Sequence, residues 1–391
     1  MRVLHVVASY LPARRYGGTI VSVHELCKAL TARGHDVHVY TTSVDGDADS
    51  PVVHGEPTQV DGVTVTYFPS RLLRRIYYAP QLGHAVRRTV ARFDVVHTHA
   101  IYLWPLWAAA REARRAGVPY VVSPRGMLEQ ALIEQRSFWM KAVAIGFLEK
   151  PTLEGAAAVH VTSRREAEEA QAFGFDLARL YELPNGVAVQ DEPPSPSASV
   201  AAMVSGDPYV LFLGRVNWKK GLDRLISAMA VTTRARLIVA GYDDEGYRAA
   251  LEGQARTAGI DDRVLFVDSV HGGDKAALLR SARALVLPSY SENFGNVALE
   301  SMAHGRPVIV TPEVGIAEIV RRDGGGIVAE GTPDSLAAAI EAMVGDPRHA
   351  DLLGARAREI AASLSWDTIA GHMASLYAEI AAPHIQAGHP S

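Results

Sequence analysis

The same order of elements opens both halves of this chain. Val3 to Ala8 is an apolar run of strand length, followed by a loop that ends in two glycines, a helical pattern from Thr19 and a second apolar run. The plan restarts with the apolar run Tyr209 to Leu213, the glycine-bearing loop 214–221 and another helical pattern. Repeated strand, loop, helix and strand units predict an α/β fold built twice.

Length and composition agree with two globular domains. At 391 residues the chain is too long for one hydrophobic core, and 48% of its residues are hydrophobic. We assign residues 1–190 to the first domain, residues 191–207, rich in Pro, Ser and Ala, to a linker and residues 208–364 to the second domain. Residues 365–382 read as a strongly amphipathic C-terminal helix.

The cysteine content and the apolar pattern indicate a compartment. Cys27, the single cysteine, excludes an internal disulfide and favours a reducing environment. No signal-peptide pattern precedes the first strand, and no apolar run reaches the roughly 18 residues that a spanning helix needs. We expect a cytoplasmic protein that, where it meets a membrane, stays peripheral on the inner face.

Two glutamates stand eight positions apart in the second half. A buried strand is expected at Ala284 to Leu287, and the following helix is expected to begin near Asn293, with the Asn293 side chain as its cap. An ideal helix rises roughly 12 Å over eight residues, which would let Glu292 and Glu300 hold the two ends of an extended nucleotide-sugar. The alternative is that they simply favour the helix dipole.

The loop GRVNWKKG, residues 214–221, places Arg215, Lys219 and Lys220 between a strand and a helix. Arginine and lysine at a helix entrance suit a diphosphate, although surface lysines are also common. In the first half, Gly17 and Gly18 stand at a helix entrance, where glycines let backbone amides approach an anion. The alternative interpretation is that the two glycines only form a tight turn.

Histidine and arginine side chains are predicted at the carboxyl ends of strands in the first half. The run DVVHTHAIY, residues 94–102, brings His97 and His99 to such an end, where open α/β sheets bind ligands. Arg125 follows the next strand in a Pro–Arg–Gly turn. No further His or Cys lies at ligand spacing, so we expect no zinc site, and Asp45 and Asp47 are expected to be solvated.

A basic stretch lies in the first half. Gly62 to Phe93 contains no acidic residue and six arginines, namely Arg71, Arg74, Arg75, Arg87, Arg88 and Arg92. Two readings stay open: a solvated helix face, or a surface for anionic lipid head groups or a phosphate-bearing acceptor. The net charge of the chain is -4, which argues against nucleic acid as a partner.

Taken together, these motifs resemble the donor site of retaining glycosyltransferases of family 4, the group 1 enzymes with the GT-B fold, and in particular the exopolysaccharide and lipopolysaccharide types. The resemblance rests on GRVNWKKG, Glu292-x7-Glu300 and GRPVIVT, with the Gly17–Gly18 loop, DVVHTH and PNGV in matching order over nearly the whole chain. It implies two Rossmann-like domains facing across a cleft, with a C-terminal helix that crosses back onto the first.

The resemblance also implies roles for the candidate residues. Arg215 and Lys220 would neutralise the donor diphosphate, with Lys219 a further candidate, Glu300 would hold the ribose and Glu292 the sugar. His99 would lie beside the reacting sugar, and Arg125, within SPRG, would contact phosphate or acceptor. The remaining donor-binding candidates are Gly17, Gly18, Gly214, Asn293, Phe294 and Gly295.

The expected activity is transfer of a hexose-type sugar from a nucleotide-diphosphate donor to a hydroxyl, with retention and with neither cofactor nor metal. A saccharide or lipid-linked acceptor in cell-surface polysaccharide assembly is the first hypothesis, and a soluble small acceptor is the alternative. A GT-B-shaped nucleotide-sugar epimerase or binding protein is a further class, which incubation with donor alone would distinguish.

Overall fold

The computed structural model describes residues 1–13, 17–128, 145–188, 194–232, 235–243 and 245–387. The chain divides into two compact units. The first contains Met1–Gly186 and Trp366–Ser391, and the second contains Val187–Ser365.

The strands are numbered in chain order. They are β1 Arg2–Ser9, β2 Asp36–Thr42, β3 Val44–Asp45, β4 Ala48–Asp49, β5 Pro57–Val60, β6 Val63–Phe68, β7 Val95–His99, β8 Tyr120–Ser123, β9 Ala158–Val161, β10 Leu180–Glu182, β11 Tyr209–Leu213, β12 Arg236–Ala240, β13 Val264–Val267, β14 Ala284–Leu287, β15 Val308–Val310 and β16 Gly326–Val328.

The helices are numbered in the same way. They are α1 Gly18–Ala32, α2 Pro80–Thr89, α3 Trp104–Ala116, α4 Lys150–Glu154, α5 Arg164–Ala172, α6 Ala198–Val204, α7 Leu222–Val231, α8 Tyr247–Thr257, α9 Gly272–Ser281, α10 Asn296–Ala303, α11 Ala317–Asp323, α12 Pro333–Gly345, α13 Pro347–Ser363 and α14 Trp366–Ala387.

The first unit is built on an eight-stranded sheet in the order β10-β9-β8-β7-β1-β2-β6-β5. All neighbours are parallel except β5 and β6, which form an antiparallel pair. The central strands β1 and β7 are buried along nearly their whole length, as expected where helices cover both faces of a sheet. The direction of strand order reverses between β1 and β7, which is where open parallel sheets place their ligands.

The second unit repeats the plan with a six-stranded parallel sheet in the order β13-β12-β11-β14-β15-β16. Numbered within the unit, this is the strand order 3-2-1-4-5-6 of a dinucleotide-binding Rossmann fold. Its reversal point lies between β11 and β14, and those strands lead into the two motifs singled out in the sequence. The expected doubled α/β architecture is confirmed.

The C-terminal helix α14 belongs to the first unit and packs against α1. Arg33, after the end of α1, donates from Nη2 to Oδ2 of Asp367 at 2.9 Å and from Nε to the Asp367 carbonyl at 3.0 Å. Within the same unit, Arg179 donates to Glu379 at 2.6 Å. These contacts attach the start and a later turn of α14 to the part of the unit formed by the N-terminal residues.

The predicted linker 191–207 contains a helix. Ser197 caps α6 by accepting from the amide of Val200, and the Ser197 amide donates to Asp274 of α9 at 2.6 Å. The Pro, Ser and Ala composition suggested an open segment, but alanines also favour a helix once a serine caps it. Among the described residues, no helix is both long enough and apolar enough to span a membrane.

Candidate active site

The loop 214–221 joins β11 to α7 in the second unit. Gly214 donates its amide to the Ala240 carbonyl at 3.0 Å, and Trp218–Lys220 form a 3₁₀ turn. Gly221 ends the turn with φ +64°, and a Cβ there would lie 2.0 Å from the Pro288 carbonyl oxygen. Because the loop packs directly against the end of β14, only glycine fits at this position.

Lys220 is aimed by this turn at Glu292, and the two side chains form an ion pair. Their side chains are 18% and 21% exposed. Glu292 is also fixed by its backbone, whose amide donates to the Glu313 carbonyl at 3.1 Å and whose carbonyl accepts from Gly315 at 3.0 Å. The structure therefore brings together two residues that the sequence assigned to the donor site from separate motifs.

Glu300 forms a second ion pair that the sequence did not predict. It lies on α10, and its Oε2 is 2.6 Å from Nζ of Lys275 on α9. The two residues are on different helices, and no local spacing rule links them. Their packing is visible only once the sheet has placed α9 and α10 side by side.

The start of α10 differs from the sequence prediction. The helix begins at Asn296, and its cap is Gly295 with φ +94° and no side-chain hydrogen bond, so the predicted Asn293 cap is wrong. Phe294 is buried in the core instead. Because Glu292 to Gly295 are not helical, the ideal rise of eight residues does not describe the separation of Glu292 and Glu300.

Aromatic and basic side chains surround the loop. The Lys219 carbonyl accepts from the Tyr290 amide at 2.8 Å. The Lys219 ammonium lies 5.8 Å from the centre of the Trp218 ring. The Arg224 guanidinium stacks 3.4 Å from the centre of the Tyr290 ring, whose hydroxyl donates to Asp223 at 2.7 Å. Arg215 is exposed. This edge of the second unit is thus cationic and contains flat rings.

In the first unit, Gly17 and Gly18 lie where the sequence predicted a helix entrance. Gly17 is the cap of α1 with φ +72°, and Gly18 is the first helical residue. The Gly18 carbonyl accepts from the Ser22 hydroxyl at 2.6 Å. No described residue lies where a Gly17 Cβ would stand, so the requirement for glycine there is conformational.

His99 is the last residue of β7 and is buried. Its Nε2 lies 2.9 Å from Nδ1 of His5 on the adjacent strand β1, and its Nδ1 lies 3.2 Å from Nη2 of Arg125. Burial, followed by the neighbouring His97 and Arg125, lowers the pKa of His99 well below its ordinary value. His99 is therefore a neutral ring held on both nitrogens.

Arg125 occupies the turn after β8 with φ +58°. Besides His99 it contacts Oδ1 of Asn185 at 2.9 Å, and the turn is held by Glu166, which accepts from the Gly126 amide at 2.6 Å. Burial lowers the pKa of Arg125, while the Glu166 charge opposes that shift. Arg125 is thus engaged inside the first unit, and its contact with phosphate or acceptor stays a prediction.

Among the described residues, one group of His, Cys or acidic side chains comes close enough to suggest a metal. The ligand nitrogens of His5, His97 and His99 lie within 4.8 Å of one another. His5 and His99 are hydrogen-bonded to each other, and the Arg125 guanidinium occupies the other side of His99. A cation would have to break these bonds beside a positive charge, so the group does not fit a metal site.

Glu149 is a further buried acid that the sequence analysis did not single out. Its Oε1 accepts from the Tyr102 amide and from Nε1 of Trp107, both at 2.6 Å. Tyr102 has φ +63° and Ala100 φ +86°, so this carboxylate supports a strained segment directly after His99. Burial raises the pKa of Glu149 to about 7.

Comparisons with known proteins agree with this architecture. A family model described as glycosyl transferases group 1 matches residues 199–360, and a glycosyl transferase 4-like domain matches residues 17–186. D-inositol 3-phosphate glycosyltransferase from Xylanimonas cellulosilytica is 30% identical over 391 residues, covering 93% of this chain and 92% of that protein.

Solved structures show the same fold. Sucrose-phosphate synthase from Thermosynechococcus elongatus has a TM-score of 0.75 at 24% identity and covers 98% of this chain and 100% of its own. The Anabaena protein HepE, in complex with UDP and glucose, has a TM-score of 0.75 at 20% identity. The match covers 97% of this chain and 100% of the HepE chain.

Two Rossmann-like units with these structural neighbours have the GT-B fold. More narrowly, the chain belongs to the group 1 glycosyl transferases, as the sequence motifs indicated.

Proposed function

We propose that this protein transfers a hexose-type sugar from a nucleotide-diphosphate donor to a hydroxyl of a saccharide or lipid-linked acceptor in cell-surface polysaccharide assembly, with retention of configuration. The observation that supports it most is the pairing of Lys220 with Glu292 and of Lys275 with Glu300 beside the strand reversal of the second unit. Cations and hydroxyl-binding carboxylates then share the sheet edge at which nucleotides bind.

Each charged group has a distinct part in donor binding. Arg215 and Lys220 bind the diphosphate, Glu292 accepts hydrogen bonds from the sugar hydroxyls and Glu300 from the ribose. Because Lys220 pairs with Glu292, the ammonium that binds the diphosphate also orients the carboxylate that binds the sugar. Lys275 likewise orients the Glu300 carboxylate through their ion pair.

In the reaction, the bond between the anomeric carbon and the diphosphate oxygen breaks, and the acceptor oxygen bonds to that carbon on the same face. The acceptor proton passes to the departing diphosphate. Arg215 and Lys220 stabilise the charge that develops on the diphosphate, which lowers the barrier without a metal. Glu292 serves as a hydroxyl acceptor rather than a nucleophile, because its charge is neutralised by Lys220.

Charge reversal separates this function from a purely structural ion pair. Lys220→Glu combined with Glu292→Lys keeps a pair, so we expect a melting temperature near that of the wild type but no sugar transfer. Lys28→Ala, which removes a surface pair with Glu25, is the control and retains the wild-type rate. Wild-type transfer by the reversed double variant would contradict the donor role.

Products and additives test the rest of the proposal. The anomeric configuration of the product, read by NMR, tests retention, and an unchanged rate in EDTA tests the metal-free mechanism. Donor incubated without acceptor should keep its sugar unchanged. A changed sugar under these conditions would indicate an epimerase.

A soluble acceptor bearing a phosphate is the second candidate, since the relative from Xylanimonas is named for inositol 3-phosphate. Parallel assays with inositol 3-phosphate and with a lipid-linked sugar in vesicles distinguish the two acceptors. Transfer to the lipid-linked sugar alone supports the first candidate. Transfer to inositol 3-phosphate alone replaces it with the second.

The basic stretch supports a peripheral contact with anionic lipid. Leu72 and Leu73 are 70% and 67% exposed, and Arg71 and Arg75 beside them are also exposed. Exposed leucines flanked by arginines suit the interface of an anionic bilayer. Arg74 is not part of this surface, because it contacts Asp49 at 2.9 Å and backbone carbonyls of the β3–β4 hairpin.

Co-sedimentation with vesicles tests this contact. We expect binding to anionic vesicles, reduced when Arg71 and Arg75 are changed to Gln and when Leu72 and Leu73 are changed to Ser. Equal binding to neutral vesicles would contradict an electrostatic contribution.

A further inference from the structure

A network of buried polar side chains crosses the sheet of the first unit beneath its strand reversal. Four strands and the C-terminal helix contribute to it. Its members are His5, His97, His99, Ser123, Arg125, His160 and Tyr377. Three of these residues, His97, His99 and Arg125, were candidates from the sequence, and the family resemblance places only His99 beside the reacting sugar.

One end of the network is fixed by a backbone carbonyl. His160 Nε2 lies 2.9 Å from the Leu183 carbonyl, which only accepts, so Nε2 carries the proton. Its Nδ1, 2.7 Å from the Ser123 hydroxyl, therefore accepts the single hydroxyl proton. Burial, followed by the charge of Arg125, lowers the pKa of His160 to about 3, which keeps this ring neutral.

The constraint passes from Ser123 to His97. Having donated its proton to His160, the Ser123 oxygen must accept from His97 Nε2, 2.7 Å away. His97 Nδ1 is then bare and accepts from the Tyr377 hydroxyl at 2.5 Å. Burial raises the pKa of Tyr377 well above its ordinary value, so the phenol keeps the proton that it donates.

The other end is fixed by Arg125, because a guanidinium only donates. Its Nη2 donates to His99 Nδ1, so His99 carries its proton on Nε2 and donates it to His5 Nδ1. His5 then carries its own proton on Nε2, a buried atom with no partner among the described residues. Both branches of the network end in the same tautomer.

We propose that Arg125 is a positioning residue: it holds His99 as the Nε2–H tautomer and fixes its ring orientation at the end of β7. The Leu183 carbonyl imposes the same tautomer on His160 and His97 independently. The positioning role rests on the proposed function and on the expectation from the family resemblance that His99 lies beside the reacting sugar. The assignment of tautomers does not depend on it.

Long-range proton–nitrogen NMR on the full-length protein labelled with ¹⁵N-histidine tests the assignment. We expect Nε2–H patterns for His5, His97, His99 and His160, with signals assigned from single His→Gln variants. The tautomers are read from the wild-type spectrum, and the variants serve only to assign its signals. An Nδ1–H pattern at His99 would overturn the proposal.

Two variants separate the branches. Arg125→Met should convert His99 and His5 to tautomer mixtures and leave His97 and His160 unchanged. Ser123→Ala should release only His97, because the Leu183 carbonyl still holds the proton of His160 on Nε2, and should leave His99 and His5 unchanged. Arg125→Lys, which keeps one donor, should restore the His99 pattern. His99 remaining wholly Nε2–H in Arg125→Met would contradict the role of the guanidinium, and that holds whether or not the protein transfers sugar.

Kinetics test the positioning role. Misplacing a group that contacts the reacting sugar lowers the rate constant for transfer, so we expect kcat to fall about tenfold or more in Arg125→Met, with partial rescue in Arg125→Lys. Ser123→Ala should keep its kcat because it leaves His99 in place. An altered tautomer with wild-type kcat would overturn the positioning role, whereas no transfer by the wild type would contradict the proposed function and leave the spectrum valid.

Discussion

Glu149 shows how one buried side chain can make stability depend on pH. One of its oxygens accepts two hydrogen bonds, and the other has no partner among the described residues. Burial raises its pKa from 4.5 to about 7. Between these values the unfolded chain releases the proton and the folded chain keeps it, so this residue makes the folded state less stable as the pH rises from 4.5 to 7.

Glu149→Gln removes this charge and keeps an acceptor for Tyr102 and Trp107. We expect the free energy of unfolding of the variant, relative to wild type, to be about 2 to 3 kcal/mol more favourable at pH 8 than at pH 5. Comparing two pH values cancels the cost of burying the extra amide group. Urea unfolding at both values measures it, and an equal difference at both would contradict a raised pKa.

At the residue scale, sequence reasoning found side chains within motifs and missed their distant partners. Glu292 and Lys220 were both identified, because each lies in a recognisable loop. His5 and Lys275 were missed, since they meet His99 and Glu300 only through the pairing of β1 with β7 and the packing of α9 beside α10. The parallel register that places His5 opposite His97 cannot be read from either strand alone.

At the scale of elements, the loop 214–221 depends on Gly221. Alanine there would need a left-handed backbone and would place its Cβ 2.0 Å from the Pro288 carbonyl oxygen. We expect Gly221→Ala to destabilise the second unit by about 3 kcal/mol or more and to weaken donor binding, because the loop must move away from β14.

Gly259→Ala is the matched control for that substitution. Gly259 lies in the same unit with φ +67°, and within the described part of the chain no atom lies within 4 Å of its hypothetical Cβ. Only the conformational cost of about 1 kcal/mol should appear there. Equal losses for the two variants in urea unfolding would show that the Pro288 contact contributes nothing.

Buried strands were the best-predicted elements. Tyr209–Leu213 and Ala284–Leu287 have the predicted bounds, because short apolar runs between turn residues are distinctive. The start of α10 was wrong, since Asn293 is a good cap residue in general but tertiary contacts of Phe294 and Gly295 decide the entry of this helix. Short edge strands such as β5 and β16 were missed for lack of apolar runs.

At the scale of the whole molecule, the two units should respond differently to acid. Burial lowers the pKa of His5 and of His160 to about 3, and the pKa values of His97 and His99 fall well below 6.5. Above pH 6.5 these rings are neutral in both states. Below it the unfolded chain binds protons that the folded unit does not, so each ring costs about 1.4 kcal/mol per pH unit.

We expect the first unit to lose stability more steeply than the second between pH 6.5 and 4.5. On acidification, Glu149 offsets the loss of stability from about one of the four histidines. The second unit contains His304, whose pKa is lowered to about 4. Hydrogen exchange of β7 and β11 amides at pH 7 and pH 5, corrected for intrinsic rates, measures the two units separately. A larger loss of protection in β11 would contradict this expectation.

The doubled architecture was predictable because each half repeats one pattern of strand, glycine loop and helix. The two reversals of strand order follow from that repetition, and they explain why candidate residues from both halves lie at strand ends. Membership of α14 in the first unit depends on contacts such as that of Tyr377 with His97, which lie 280 positions apart. No local pattern in residues 365–382 specifies them.

That long-range contact affects how the protein is made. The ribosome must finish the entire second unit before Tyr377 leaves the exit tunnel, so the unit begun first is completed last. Until then, Nδ1 of His97 has no Tyr377 hydroxyl from which to accept a hydrogen bond. The second unit can therefore fold before the first unit is complete.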